Sequence, residues 1–261
     1  MEHAAAGGRG RAGGVVWLVG ASSGIGRALA LRLAAAGQEV AITARRGEAL
    51  EALAREAPGP GRLVPFPGDV TDAGAMKDVA DAVEARLGPI EKALFNQGDY
   101  EPMGLEAFDP ALFERLMRVN YLGMVHGLAA VMPAMIRRGR GEILLTASLA
   151  GYRGLPRAAP YGASKAAVIN LAESLHPELA EKGVRLRVIN PGFVRTPMTD
   201  KNRFHMPFLM ETDAAVEAIL RGLQGRGFEI CFPRSFALLM KGLRLLPHGL
   251  FLRITRRMLK S

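Results

Sequence analysis

Residues 15–37 read VVWLVGASSGIGRALALRLAAAG, and their order decides the fold. Five apolar residues, Val15 to Val19, run without a break into Gly20, which suits a strand buried on both faces. The glycines at 20, 24 and 26 then make a turn, and Ala28 to Ala36 repeats apolar positions at helical spacing until Gly37 ends it. Strand, glycine turn and helix in that order make the first half of a βα unit. The turn brings bare backbone N–H groups and a helix N-terminus to one point, where a pyrophosphate can be received.

The same alternation continues outward along the chain. Strands are predicted at Glu39 to Ala44, Leu63 to Pro67, Lys92 to Phe95, Glu142 to Thr146, Leu186 to Ile189 and Glu229 to Phe232. Helices are predicted at Glu48 to Glu56, Ala73 to Leu87, Pro110 to Pro133, Tyr161 to Ala180 and Thr212 to Gln224, with Thr212 or Asp213 as the N-cap of the last. Strands that alternate with helices require right-handed crossovers, which implies an α/β, doubly wound, Rossmann-type parallel sheet flanked by helices. At 261 residues, 49% hydrophobic and 23% charged, the chain is expected to form one folded domain over residues 14–233. A flexible leader, 1–13, precedes it, and a basic amphipathic helical tail, 234–261, is packed on it or extends from it. The single cysteine, Cys231, has neither a disulfide partner nor neighbouring metal ligands, so no metal site and a reducing, cytoplasmic setting are expected. No uncharged run reaches the ~20 residues that cross a bilayer.

The net charge of +9 gathers at the end of the chain: seven Lys and Arg and no acid lie between Ile230 and Ser261. The tail interleaves these cations with Leu, Phe, Ile and Met, and Pro247-His248-Gly249 divides it into two short helices. Such helices suit an anionic membrane interface through residues 235–260. They suit equally well a place on the substrate cleft or on a neighbouring subunit. The aromatics form no stacking platform between the cations, so no nucleic-acid partner is expected.

Individual residues carry the chemistry. Gly20, Ser22, Ser23, Gly24, Ile25 and Gly26 form the phosphate turn. After the second strand Arg45 and Arg46 stand where a protein binding NAD(H) would place an acid for the ribose hydroxyls. A guanidinium there suits the 2′-phosphate of NADP(H), so NADP(H) is favoured over NAD(H). Asp69, followed by Val70, is placed to meet the adenine amino group. Tyr161 and Lys165 lie four residues apart on one helix face, where a cation near the phenol would lower its pKa for acid–base work, although this spacing also arises in ordinary helices. Ser148 follows a strand at the sheet edge where ligands bind. Asn120, a mediocre helix former in mid-helix, implies an internal hydrogen-bonding duty or a plain kink.

Taken together, Gly20-xxx-Gly24-x-Gly26, Asp69, Asn96-Gln97-Gly98, Asn120, Ser148, Tyr161-xxx-Lys165 and Pro191-Gly192-xxx-Thr196 resemble the short-chain dehydrogenase/reductase superfamily, over about Val15 to Phe232. The resemblance implies hydride transfer between nicotinamide and a ketone/secondary-alcohol pair. Tyr161 would be the acid/base, Ser148 would orient the carbonyl, Lys165 would hold the nicotinamide ribose and Asn120 a relay water. Thr196 and the backbone of Val194 would grip the carboxamide. Gln97 departs from the family's Asn-Asn-Ala-Gly run. His176-Pro177 is expected to interrupt and bend the helix after Lys165, a helix that often lies at a subunit interface of a dimer or tetramer. The apolar loop Met198 to Met210, with Phe204, Met206, Pro207, Phe208 and Leu209, points to a hydrophobic (lipid-, sterol- or acyl-like) substrate, or simply packs on the core; His205 within it reads as a surface or packing residue. A non-catalytic NADP(H)-binding sensor or scaffold at a membrane surface is the alternative.

Overall fold

The computed structural model describes residues 14–202, 204 and 206–259. The predicted leader, Arg203, His205, Lys260 and Ser261 lie outside the described residues. Strands β1 (Val15–Val19), β2 (Glu39–Thr43), β3 (Arg62–Pro65), β4 (Ile90–Phe95), β5 (Gly141–Thr146), β6 (Val184–Pro191) and β7 (Glu229–Phe232) form one sheet in the order β3-β2-β1-β4-β5-β6-β7. Every pairing is parallel.

Alternation along β1 shows how the sheet separates two cores. Val15, Trp17 and Val19 enter one apolar cluster, and Val16 and Leu18 enter the other, as successive side chains of a strand must. The first cluster is covered by α3 (Ala73–Leu87), α5 (Gly123–Arg138) and α6 (Ala159–Glu181), through residues such as Val83, Leu128 and Val168. The second is covered by α1 (Gly24–Ala35), α2 (Gly47–Glu56) and α7 (Thr212–Gln224), through Leu29, Leu50 and Val216. Each fully buried Leu or Val adds roughly 1.5–3 kcal/mol. Trp17 is fully buried; its indole N–H donates to Thr43 Oγ1 at 2.9 Å, which satisfies its one polar group.

Four local expectations are revised. The pattern read as one helix from Pro110 to Pro133 is α4 (Pro110–Met117), a π-helical turn at Arg118–Leu122 that contains Asn120, and then α5. This stretch, Pro110–Arg138, is long and apolar enough to cross a membrane by length and composition, which uncharged runs alone did not flag. Its apolar face, including Leu116, Met124 and Val131, is buried in the protein. Helix α6 continues through Pro177 to Glu181 instead of breaking there. Proline removes a single N–H, and packing on the first core, together with the bond of His176 Nδ1 to the Leu186 carbonyl at 2.8 Å, holds the helix in place. Glu211, not Thr212 or Asp213, is the N-cap of α7, because the Thr212 hydroxyl donates to the Arg195 carbonyl. The tail forms α8 (Arg234–Leu245) and α9 (His248–Met258), divided at Leu246-Pro247, with His248 and Gly249 already in the second helix.

Candidate active site

The strand order reverses at β1, whose neighbours are β2 and β4, and ligands of open α/β sheets bind at the carboxyl ends of strands beside such a point. A cavity of about 550 Å³ opens there, past the ends of β1, β4, β5 and β6. It gathers Gly20, Ser22, Ser23, Gly24, Ile25, Arg45, Arg46, Asp69, Val70, Asn96, Gln97, Gly98, Tyr161, Lys165, Pro191, Gly192, Val194 and Thr196. Gly26, Asn120 and Ser148 stand outside its lining.

The turn after β1 has the features a dinucleotide requires. Gly20 has φ +83 and Gly24 φ +52, in the left-handed region that favours glycine. A Cβ on Gly26 would lie 2.1 Å from the Gly20 carbonyl oxygen, so Gly26 permits the helix to start tight against the strand. Ser23, the N-cap of α1, makes no side-chain capping bond, so the first N–H groups of the helix remain available to an anion. Arg45, Arg46 and Asp69 line the same cavity. One oxygen of Asp69 is taken by the Thr71 backbone N–H and hydroxyl, both at 2.9 Å. These residues therefore fit a dinucleotide.

At the other end stand Tyr161, Ser148 and Lys165. Ser148 Oγ lies 3.4 Å from the Pro191 carbonyl and accepts from the Ala150 N–H, which fixes the hydroxyl at the end of β5. Burial pushes the Tyr161 phenol up to about 12, although the neighbouring Ser148 hydroxyl works against that rise. Lys165 Nζ donates to the Thr146 carbonyl at 2.9 Å and sits 5.7 Å from the Tyr161 ring centroid. Its ammonium is disfavoured by burial and falls to about 8. The lowering of the phenol pKa expected from Lys165 is not found in the protein alone, where the phenol is raised: desolvation opposes both charged forms.

Asn120 is buried and its amide is fully engaged. Oδ1 accepts from the Asp99 N–H at 2.7 Å, and Nδ2 donates to the Asp99 carbonyl and to Ser164 Oγ, each at 2.9 Å. The π turn aims this amide across to α6, one residue before Lys165. Gln97 is also buried; Nε2 points to Met124 Sδ at 3.3 Å, and Oε1 has no partner among the described residues.

Several residues were missed in the sequence. Tyr100 packs edge-on against Tyr161 at 4.9 Å between centroids, and its hydroxyl donates to Asn202 Oδ1 at 2.6 Å. Thr199 Oγ1 accepts from the Thr196 N–H and donates to the Val194 carbonyl, which fixes the loop that carries both. The signal available was position alone: Asp99 and Tyr100 directly follow Asn96-Gln97-Gly98 at a strand's carboxyl end. The loop also meets the tail. Phe193 stacks on Phe236 at 5.8 Å and meets Phe204 edge-on at 5.8 Å, while Phe208 stacks on Phe236 at 5.4 Å.

A parallel sheet with a nucleotide cavity at its switch point, and a tyrosine and lysine one helical turn apart at its mouth, defines a dinucleotide-dependent oxidoreductase class. The sequence model of the short chain dehydrogenase family matches residues 14–206, and the chain belongs to that family. It is 38% identical over 242 residues to a protein of Myxococcus xanthus known as an uncharacterized oxidoreductase, covering 92% of this chain and 96% of that one. Among solved structures, a short-chain dehydrogenase from Sphingobium yanoikuyae in complex with NADPH shares 28% identity at a TM-score of 0.77, covering 88% of this chain and 94% of that one. A short chain dehydrogenase/reductase from Burkholderia phymatum in complex with NAD, 23% identical at a TM-score of 0.79 over 88% of this chain and 92% of that one, shares the fold. The chain is an NAD(P)-dependent oxidoreductase acting on CH–OH/carbonyl groups.

Proposed function

We propose that the protein uses NADP(H) to interconvert a hydrophobic ketone, lipid-, sterol- or acyl-like, and its secondary alcohol, with Tyr161 as general acid/base. The observation that carries this reading is that Tyr161 and Lys165 line the nucleotide cavity with Ser148 beside the Tyr161 hydroxyl, while the loop that follows Gly192 in that lining carries the aromatic contacts of Phe193 and Phe204. When bound, the nicotinamide supplies the hydride for the substrate carbon. The Tyr161 hydroxyl donates its proton to the substrate oxygen, and the Ser148 hydroxyl donates a hydrogen bond to the same oxygen and orients the carbonyl. A phenol raised to about 12 by burial is protonated at neutral pH, so it is ready to act as the acid in the reductive direction. Lys165 holds the nicotinamide ribose, and Asn120 positions α6 through Ser164. Thr196 and the backbone of Val194 receive the carboxamide.

Arg45 and Arg46 support NADP(H) because a paired guanidinium–phosphate contact has no counterpart in NAD(H). The catalytic domain is residues 14–233, with the tail helices α8 and α9 packed on it. It works as a homodimer or tetramer in the cytoplasm.

NADPH titration by fluorescence, followed by NADPH oxidation with long-chain and polycyclic ketones, tests this reading. Tyr161→Phe is expected to lose turnover by ~10²-fold or more while keeping NADPH affinity within about twofold. Full turnover in that variant refutes the role of Tyr161. Tight NADPH binding with no ketone turned over by the wild type points to a sensor. Arg45→Asp should lower the NADPH-to-NADH preference at least tenfold; an unchanged preference removes the 2′-phosphate assignment.

A further inference from the structure

We propose that the outward face of α8 and α9 docks on an anionic lipid bilayer, from which the apolar substrate is drawn. The inference rests on the reading above only for the substrate; the docking surface stands on the tail itself.

The inner face of the tail is fully used. Phe236, Ala237 and Met240 of α8 and Phe251 and Thr255 of α9 are buried. Phe236 fills the space over the Pro191-Gly192 turn so closely that a Cβ on Gly192 would lie 2.8 Å from its ring. Phe208, stacked on Phe236, holds φ +58, a conformation that a bulky residue keeps only where its surroundings impose it. Arg153, in the loop after β5, fastens the end of α8. Its Nη1 donates to the carbonyls of Leu243, Arg244 and Leu246 at 3.1, 2.7 and 2.9 Å, and its guanidinium lies 4.2 Å from the centroid of the Phe251 ring. Helix α8 is therefore docked on the lid, and Arg153 ties both helices to the loop after β5.

The outer face, among the described residues, is open to solvent. Leu238 is 70% exposed, Leu245 86% and Leu252 59%, and Leu239, Leu250, Met258 and Leu259 are exposed as well. Seven of the thirteen large exposed hydrophobics among the described residues thus lie between 238 and 259, a concentration that a solvated surface does not need. Arg234, Lys241, Arg244, Arg253, Arg256 and Arg257 are exposed among them. Lys241 pairs with Glu229 from β7. Among the described residues the five arginines form no ion pair, and no acid lies between Ile230 and Ser261 to provide one.

This chemistry selects the occupant. A second copy on the same face would bring the two sets of arginines together, whereas an anionic bilayer offers negative headgroups to the arginines and acyl chains to the leucines. The aromatic stack Phe193–Phe236–Phe208 joins the inner face of α8 to the lid, so the helix whose outer face would meet the bilayer also carries the lid. An apolar substrate leaving the bilayer would thus emerge close to the lid.

The full-length protein is sedimented with vesicles of phosphatidylcholine alone and of phosphatidylcholine with 30% phosphatidylglycerol. Strong partition onto the anionic vesicles, at least tenfold weaker onto neutral ones and weakened by 0.5 M salt, is expected. Leu245→Gln/Leu252→Gln and Arg256→Glu/Arg257→Glu should each lower that partition at least tenfold while NADPH oxidation with a short water-soluble ketone is unchanged, which also shows that they fold. Turnover of a long-chain ketone carried in anionic vesicles should fall with the partition. Wild type that ignores lipid charge, or double variants that partition like wild type, would overturn the docking face. So would a smaller oligomer for the leucine variant by light scattering with vesicle binding intact, since a second copy would then be the occupant. Loss of short-ketone turnover in the wild type would instead strike the proposed reaction and leave the partition result standing.

Discussion

Lys165→Met separates the cost of a functional group from its use. Burial brings the Lys165 ammonium from the ordinary 10.5 down to about 8, and at about 1.4 kcal/mol per pH unit that amounts to ~3 kcal/mol of destabilisation carried at pH 7. Methionine removes this penalty but leaves the Thr146 carbonyl without its 2.9 Å donor, a loss of roughly 1.5–3 kcal/mol. At pH 7 the variant should therefore be as stable as the wild type or up to ~1.5 kcal/mol more stable. Between about pH 8 and 10.5 the unfolded chain binds the lysine proton that the folded chain has released, so wild-type stability rises with pH. Below about pH 8 the lysine is protonated in both states and the penalty is at its full value. From pH 7 to pH 9.5 the wild type should gain about 2 kcal/mol relative to Lys165→Met. Tyr161, raised from 10 to about 12, acts in the opposite sense, but it is present in both proteins and cancels. Urea unfolding of both proteins without coenzyme, at the two pH values, measures the difference. A wild-type minus variant difference that stays within ~0.5 kcal/mol across that range would refute a buried, reluctantly charged Lys165. Turnover in the variant should fall by ~10²-fold or more even where stability rises.

Gly26→Ala places a methyl 2.1 Å from the Gly20 carbonyl oxygen, and since that atom is backbone the turn must shift. NADPH affinity should fall at least tenfold, by fluorescence titration, and stability by ~1–3 kcal/mol; affinity within twofold of wild type would show that the turn tolerates the shift. Gln97→Met keeps the side-chain volume and removes the acceptor Oε1, which has no partner among the described residues. Thermal unfolding should show an unchanged or higher Tm, corresponding to ~1 kcal/mol at most, and a clear loss would mean that Gln97 serves a bond the fold depends on. In the oxidative direction, turnover should climb from neutral pH toward the Tyr161 value of about 12, because the phenolate is then the base; a pH-independent oxidation rate would count against Tyr161.

Much of the fold was legible because local rules and tertiary structure agree. The glycine turn, the repeated apolar strands and the helical spacing between them specify a parallel sheet, and Gly20 and Gly24 adopt the left-handed conformations for which the turn needs glycine. The boundaries of α3 (Ala73–Leu87) and the C-terminal ends of α7 and β7 coincide with their sequence patterns because the Asp72 cap and Gly88 flank α3, Gly225 follows α7 and Pro233 follows β7. The π turn at Asn120 was not legible: an extra residue in a helical turn changes no apolar period enough to be read, and the amide's partners, Asp99 and Ser164, lie 21 and 44 residues away. Pro177 misled because a single missing N–H is a local signal, while the packing of α6 on the sheet is not.

The fold class and the phosphate turn are legible in the chain because each depends on residue type and on spacing within one strand–turn–helix unit, and Tyr161 and Lys165 are legible as a pair four residues apart. The tertiary structure sets how those two side chains are charged, because desolvation belongs to the assembled site and moves Tyr161 up and Lys165 down at once. It also decided the two faces of the tail. The same run of leucines and arginines is compatible with many placements, and the inner face becomes defined only when Arg153 and the Phe193–Phe236–Phe208 stack are brought to it from distant parts of the chain.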